Sequence, residues 1–145
     1  MAIEGEYVPS PRKGSRDQVE EIERTGTTDS VDIMGLPVVL LTMVGAKTGA
    51  IRKVPLMRVE HDGLYAAVAS LGGAPDHPQW YWNLRRHPEL DLQDGTAVTR
   101  RRARELDGEE RDVWWERAVA AYPPYADYQE RTDRRIPIFL VERRS

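Results

Sequence analysis

"MVGAKTGAIRKVPLMRVEHDGLYAAVAS", residues 43–70, is the stretch whose reading decides the fold. A Gly-Lys-Thr neighbourhood after an apolar run suggests a nucleotide phosphate loop, which would open a helix and belong to a parallel α/β sheet. The spacing argues against it. Such a loop places Gly directly before Lys and a helix directly after Thr. Here Ala46 separates Gly45 from Lys47, and Gly49-Ala50-Ile51-Arg52-Lys53-Val54-Pro55 follows. Pro55 and its β-branched neighbours suit a strand. The stretch therefore reads as a glycine-permitted turn between two antiparallel strands. Further on, His61-Asp62-Gly63 splits two apolar runs, and Asp-Gly in that setting signals a hairpin.

Outward from this stretch, "LPVVLLTMVG" reads as a buried strand and "DHPQWYWNLRRHPEL" as a helix with Pro78 in its first turn, stopping near His87-Pro88. "LDLQDGTAVTRRRARELD" predicts a second hairpin turning at Asp94-Gly95. Asp107, with Glu110 three residues later, predicts the capped start of a helix carrying Trp114, Ala118, Ala121 and Tyr122 on one face. A short helix over "PPYADYQERTD" and a strand over "IPIFLVERR" complete the chain. At the other end, residues 1–14 read as a flexible arm. Ser15 and Gln18 then form a capping box for a helix with Val19 and Ile22 as its apolar stripe and Gly26 as its stop. That stripe could pack on its own domain, on a partner or on a membrane surface. No strand–helix–strand repeat appears. The expectation is an α+β, mainly β chain: a barrel of about six antiparallel strands with helices around it. Its parts are an arm and amphipathic helix over residues 1–30 and a barrel domain over residues 31–145.

Composition narrows the class. The 145 residues carry 40% hydrophobic side chains, four Trp, six Tyr and a net charge of −3, as suits one globular domain. With no cysteine there is neither disulfide nor thiolate chemistry, as suits a cytoplasmic setting. His61, His77 and His87 lack metal-ligand spacing, so no metal site is expected. The N-terminus has no signal-peptide core, and no apolar run is long enough to span a bilayer.

Three stretches hold residues for chemistry. Lys47, Thr48, Arg52 and Lys53 cluster near one end of the barrel, where turn amides and cations would suit a phosphate or a row of carboxylates; a solvated basic hairpin is the plain alternative. In "ASLGGAPDHPQWYWNL", Gly72 and Gly73 allow close backbone approach by a ligand and a helix N-terminus follows. Trp80 and Leu84 are equally a core pair. In "AYPPYADYQERTDR", Tyr122, Tyr125 and Tyr128 recur every three residues and would share one helix face, as packing or as a stacking surface with phenol donors. No catalytic triad is evident. The "RRRAR" run, Arg100 to Arg104, reads as a solvated strand edge rather than a nucleic-acid contact.

Taken in order, "GAKTGxxRxxPL", "ASLGGAPxHPxWYxNL" and "YPPYADYQ…TDRxIPI" resemble the deazaflavin-dependent nitroreductase family of actinobacteria. The resemblance runs from about Leu36 to the C-terminus. It implies a split, flavin-reductase-like β-barrel and the 8-hydroxy-5-deazaflavin coenzyme (coenzyme F-420). The implied reaction is hydride transfer from the reduced coenzyme to a flat electrophile such as a quinone or nitroaromatic. It implies that Lys47, Arg52 and Thr48, with Lys53 beside them, hold the phosphate and acidic tail. Pro55, Leu56, Val68, Ala69, Ser70, Leu71, Gly72 and Gly73 would lie along the ring, and Gln79, Trp80 and Tyr81 would pack the helix start against it. Tyr122, Tyr125 and Tyr128 would form the substrate pocket, with Tyr125 nearest the reacting group. Ala46 and Leu71 stand where many relatives carry positive charge, so Arg12, Lys13 or Lys53 would have to substitute. The implied partners are a small-molecule quinone or nitroaromatic and no nucleic acid, with peripheral membrane contact through the first helix as a further expectation. The competing readings are a flavin mononucleotide-dependent oxidoreductase on the same fold and a non-catalytic deazaflavin carrier.

Overall fold

In the computed structural model of the chain, residues 5–143 are described. The first four residues of the expected arm, and Arg144 at the end of the expected last strand, lie outside the described residues. Seven strands are present: β1 (Val38–Val44), β2 (Ile51–Met57), β3 (Glu60–His61), β4 (Leu64–Val68), β5 (Glu89–Asp94), β6 (Ala97–Glu105) and β7 (Ile138–Arg143). They form one sheet in the order β2-β1-β5-β6-β7-β4-β3, every ladder antiparallel. The outermost members, β2 and β3, are consecutive in the chain. The sheet therefore curls until its two ends come together across two adjacent residues: Arg58 N–H prolongs the β1–β2 ladder to Pro37 O (3.1 Å), and Val59 O prolongs the β3–β4 ladder by accepting from Ala66 N–H (2.9 Å). This is a split β-barrel. It has one strand more than the six expected because β3 is only two residues long and follows β2 with no Gly or Pro between them to mark a break.

The quoted stretch folds as a hairpin. The β1–β2 ladder runs from Val38↔Met57 to Val44↔Ile51, closed by Gly45 N–H to Ala50 O (2.7 Å), with Gly49 at φ +74°. Pro55 is tolerated because β2 lies at the end of the sheet order and needs no N–H for a second ladder. The next turn has Asp62 and Gly63 at φ +54° and +80°, both left-handed as a type I′ turn requires.

Strand side chains alternate between two cores. Val39, Leu41 and Met43 point into the barrel with Tyr65, Leu90 and Phe139. On the outer faces, Leu40 meets Val19 and Ile22 of α1 (Lys13–Thr25), while Ala66, Val68 and Leu140 meet Trp114 and Ala118 of α3 (Gly108–Ala121). Helices thus cover both ends of the alternation, so these strands read as continuous apolar runs rather than as alternating ones. The remaining helices are α2 (Gln79–Arg86) and α4 (Pro124–Glu130).

Several local expectations are corrected. Helix α1 starts two residues before Ser15, with no side-chain cap, and Gln18 instead donates to Asp32 O (2.8 Å). Val19 and Ile22 are each 1% exposed against β1, so the outer face of α1 is polar and carries no apolar stripe for lipid. Asp107 occupies the start of α3 but its side chain caps nothing, and Glu110, the other half of the expected box, is drawn to Arg104 (2.8 and 3.0 Å). The β5–β6 turn is Gly95-Thr96; Asp94 stays in the ladder opposite Ala97 and accepts from Arg58 (2.9 Å) and Tyr65 (2.6 Å). The "RRRAR" run lies on β6, paired on both sides rather than at an edge. Arg101 is buried, Arg100 pairs with Asp91 (2.6 Å), and Arg104 joins Glu110 and Glu142. No helix among the described residues is long and apolar enough to cross a membrane.

Candidate active site

Between β2, the loop after β4, the first turn of α2 and the α3–α4 corner lies a cavity of about 520 Å³, within the range of small-molecule sites. Of the residues singled out from sequence, Arg52, Lys53, Pro55, Leu56, Val68, Ser70, Leu71, Gln79, Trp80, Tyr122, Tyr125 and Tyr128 line it. Arg52 through Met57 of β2 all line it.

Lys47, Thr48, Ala69, Gly72, Gly73 and Tyr81 do not line it. Lys47 and Thr48 sit exposed at the tip of the β1–β2 turn, where the Thr48 hydroxyl accepts from Ala50 N–H (3.2 Å). Ala69 belongs to the barrel interior. Gly73 is pressed onto α4: a Cβ there would lie 2.7 Å from Tyr128 O. Tyr81 projects into the barrel core beside Phe139 (5.4 Å between rings), its hydroxyl donating to Glu105 (3.0 Å). Its neighbour Trp80 is both a core residue and a cavity wall.

Sequence reading missed Asn83. It is 3% exposed, lines the cavity, and its Oδ1 accepts from Ala46 N–H (2.9 Å), tying α2 to the glycine turn. The signal available was its i, i+4 spacing from Gln79. Also missed were Ser10 and Ser15, which reach the cavity with Arg12 because the arm lies along the free edge of β2. Ile51 N–H bonds Glu6 O (2.7 Å) and Val8 N–H bonds Ile51 O (3.0 Å). Nothing in the arm's composition announces that pairing.

The charges at the β2 end are unequal. Lys53 is paired with Glu23 and lies over the Tyr7 ring (5.1 Å). Arg52 has no carboxylate partner among the described residues, so it is the cation on β2 left for a ligand. At the opposite end, the tyrosines form one cluster, though not on one helix. Tyr122 caps the end of α3, Pro123 opens a new helix, and Tyr125 and Tyr128 ride on α4. The ring centroids lie 4.9–6.2 Å apart, and the Tyr122 and Tyr128 hydroxyls are 3.0 Å apart. Tyr122 also donates to Met34 Sδ (3.3 Å). Burial first, and the Tyr128 hydrogen bond second, push the Tyr122 phenol up to about 12. Burial pushes the Tyr125 phenol up too, with Tyr122 and Tyr128 adding to it. Both are therefore neutral donors at ordinary pH. Tyr125 is 4% exposed, yet its hydroxyl bonds to no described residue. An apolar slot with a cation at one end and neutral phenols at the other suits a flat aromatic molecule with an anionic tail.

Fold and cavity together define a split β-barrel with a partly apolar small-molecule site. Residues 14–143 match the F420H(2)-dependent quinone reductase family, and the chain belongs to that family. It is accordingly an oxidoreductase that uses reduced coenzyme F-420 to reduce a quinone. An F420H(2)-dependent quinone reductase of Mycobacterium tuberculosis is 33% identical over 111 residues, 74% of each chain. Two solved structures are similar. One, described as a domain-swapped dimer, is 56% identical with a TM-score of 0.73, covering 92% of this chain and 100% of that one. The other, an F420-H2-dependent reductase, is 57% identical with a TM-score of 0.70, covering 77% and 99%.

Proposed function

We propose that the cavity between β2 and the tyrosine corner is where the reduced deazaflavin and the quinone meet. The residues present fit the coenzyme. Pro55, Leu56, Val68 and Trp80 offer apolar walls for a flat ring, and Arg52, with Arg12 nearby, faces the anionic end. Lys47 and the turn amides lie farther out, where an acidic tail leaving the cavity would pass. When bound, the coenzyme supplies the hydride.

The protein's part is to hold, align and complete. Asn83 fixes the glycine turn against α2 and so sets where Arg52 emerges. The apolar walls exclude water from the reacting faces. Tyr125 is the observation that carries the reading: a buried side chain at a cavity wall, whose hydroxyl bonds to no described residue and is not itself sealed off. A neutral phenol there donates a hydrogen bond to the substrate carbonyl and stabilises the charge that grows on its oxygen. With its pKa raised, Tyr125 is a poor source of a whole proton, so the proton that completes the hydroquinone comes from solvent.

Affinity for the oxidised coenzyme tests the assignment. Arg52→Ala should weaken binding about tenfold, equivalent to about 1.4 kcal/mol, while the double variant with Lys47→Ala should weaken it further. Wild-type affinity in the double variant would remove both residues from the site.

A further inference from the structure

Arg134 lies on the loop between α4 and β7, outside the cavity. Its guanidinium makes four hydrogen bonds, and all four end on one segment, residues 69–77. Nε donates to Ala74 O (2.8 Å), Nη2 to Ser70 O (2.7 Å), and Nη1 to Ala69 O (3.0 Å) and His77 Nδ1 (3.0 Å). None is a carboxylate, so charge pairing does not explain the arrangement. Three of the four end on backbone carbonyls and one on the His77 ring, so the guanidinium chiefly reads backbone position.

That segment needs holding. Leu71, Gly72 and Gly73 have φ of +44°, +64° and +81°, three left-handed residues in a row that no ladder can stabilise. Ser70 and Leu71 line the cavity, and the segment runs straight into Pro78, Gln79 and Trp80, which line it too. Its other side presses on α4 through Gly73, close to Tyr128 O. Gln129 then anchors the backbone of Arg134, donating to Arg134 O (2.8 Å) and accepting from Ile136 N–H (3.0 Å).

Resting on the reading of the cavity given above, we infer that Arg134 is a positioning residue for the hydride transfer: its four-pronged clasp holds the wall bearing Ser70, Leu71 and Trp80 in register with the wall bearing Tyr125 and Tyr128. One wall faces the coenzyme and the other the quinone, so their spacing sets the distance over which the hydride moves. Transfer is steeply sensitive to such placement. Because Nη1 donates to His77 Nδ1, His77 takes part as a neutral imidazole.

The test compares Arg134→Ala, Arg134→Lys and His77→Phe, the last removing a single prong from the acceptor side. With coenzyme and quinone saturating, kcat should fall at least tenfold in Arg134→Ala and Arg134→Lys and less in His77→Phe. The coenzyme dissociation constant should stay within threefold, and methylguanidinium should restore part of the Arg134→Ala rate. In the coenzyme-free protein, amide exchange at Gly73 and Ala74 should quicken about tenfold in both Arg134 variants. Wild-type kcat in a folded Arg134→Lys or Arg134→Ala, or lost coenzyme affinity at unchanged kcat, would overturn the inference. If Arg134→Ala does not fold, Arg134→Lys and His77→Phe still decide it. A wild-type protein that oxidises no reduced coenzyme would overturn the cavity reading instead, and the exchange measurement would still judge the clasp as a holder of the wall.

Discussion

Tyr125 and Arg52 show what single side chains contribute and how far each was legible. The tyrosine motif, with three phenols at regular spacing, pointed to a cluster, and the cluster is there. The two helices that carry it were legible, one running to Tyr122 and one over "PPYADYQERTD", but a single shared helix face was not borne out, because Pro123-Pro124 starts the second helix anew. Lys47 and Arg52 were equal candidates in the sequence, yet only Arg52 lines the cavity. Trp80 and Tyr81 are adjacent and aromatic, and only tertiary packing decides which of them faces the cavity. Tyr125→Phe keeps the ring and removes the donor; kcat should fall about 10²-fold, in line with the loss of one donor to a developing oxyanion. The coenzyme dissociation constant should not change, as a fluorescence titration would show. The Tyr122 phenol, free in the unfolded chain, ionises from about pH 10, whereas in the fold it holds its proton until about 12. The folded state thus binds the extra proton between those values, and stability should decline as pH rises through that window. Urea unfolding at stepped pH should show the decline, and Tyr122→Phe should lessen it.

Elements were read better than their ends. Every long helix and strand expected from the sequence exists, because periodicity and glycine stops reflect burial and backbone freedom. Caps depend instead on which side chain wins a local competition. Glu110 pairs with Arg104, six residues back on β6, and Gln18 with Asp32 O, fourteen residues on, partners that lie outside the capping pattern. Helix α1 is held chiefly by two side chains. Ile22→Ala should lower stability by about 2–4 kcal/mol, measured by urea unfolding; a loss below about 0.5 kcal/mol would mean that α1 is not docked on β1. Gly73→Ala should be worse for activity than for secondary structure. Its Cβ would meet Tyr128 O at 2.7 Å and push the wall of the cavity away from α4. A circular dichroism spectrum like that of the wild type with kcat reduced at least tenfold is the expected pair of results.

At the scale of the whole molecule, the antiparallel barrel was legible and its strand order was not. Local turns announce β1–β2, β3–β4 and β5–β6, whereas β1–β5, β4–β7 and β6–β7 pair segments distant in the sequence, which no turn between them announces. The same long-range pairings create the cavity, since they bring β2, Ser70 and Leu71 after β4, the start of α2 and the tyrosines around one space. Saturating coenzyme should therefore stabilise the entire fold, by about 2.7 kcal/mol at a hundredfold excess over its dissociation constant, visible as a concentration-dependent rise in Tm. The most direct test is a crystal structure with oxidised coenzyme F-420 bound. The ring should lie against Pro55, Leu56, Val68 and Trp80, with Arg52 at the phosphate and the Tyr125 hydroxyl facing the open side of the ring. A coenzyme bound elsewhere, for example across the exposed face of the β1–β2 turn with the cavity empty, would contradict it.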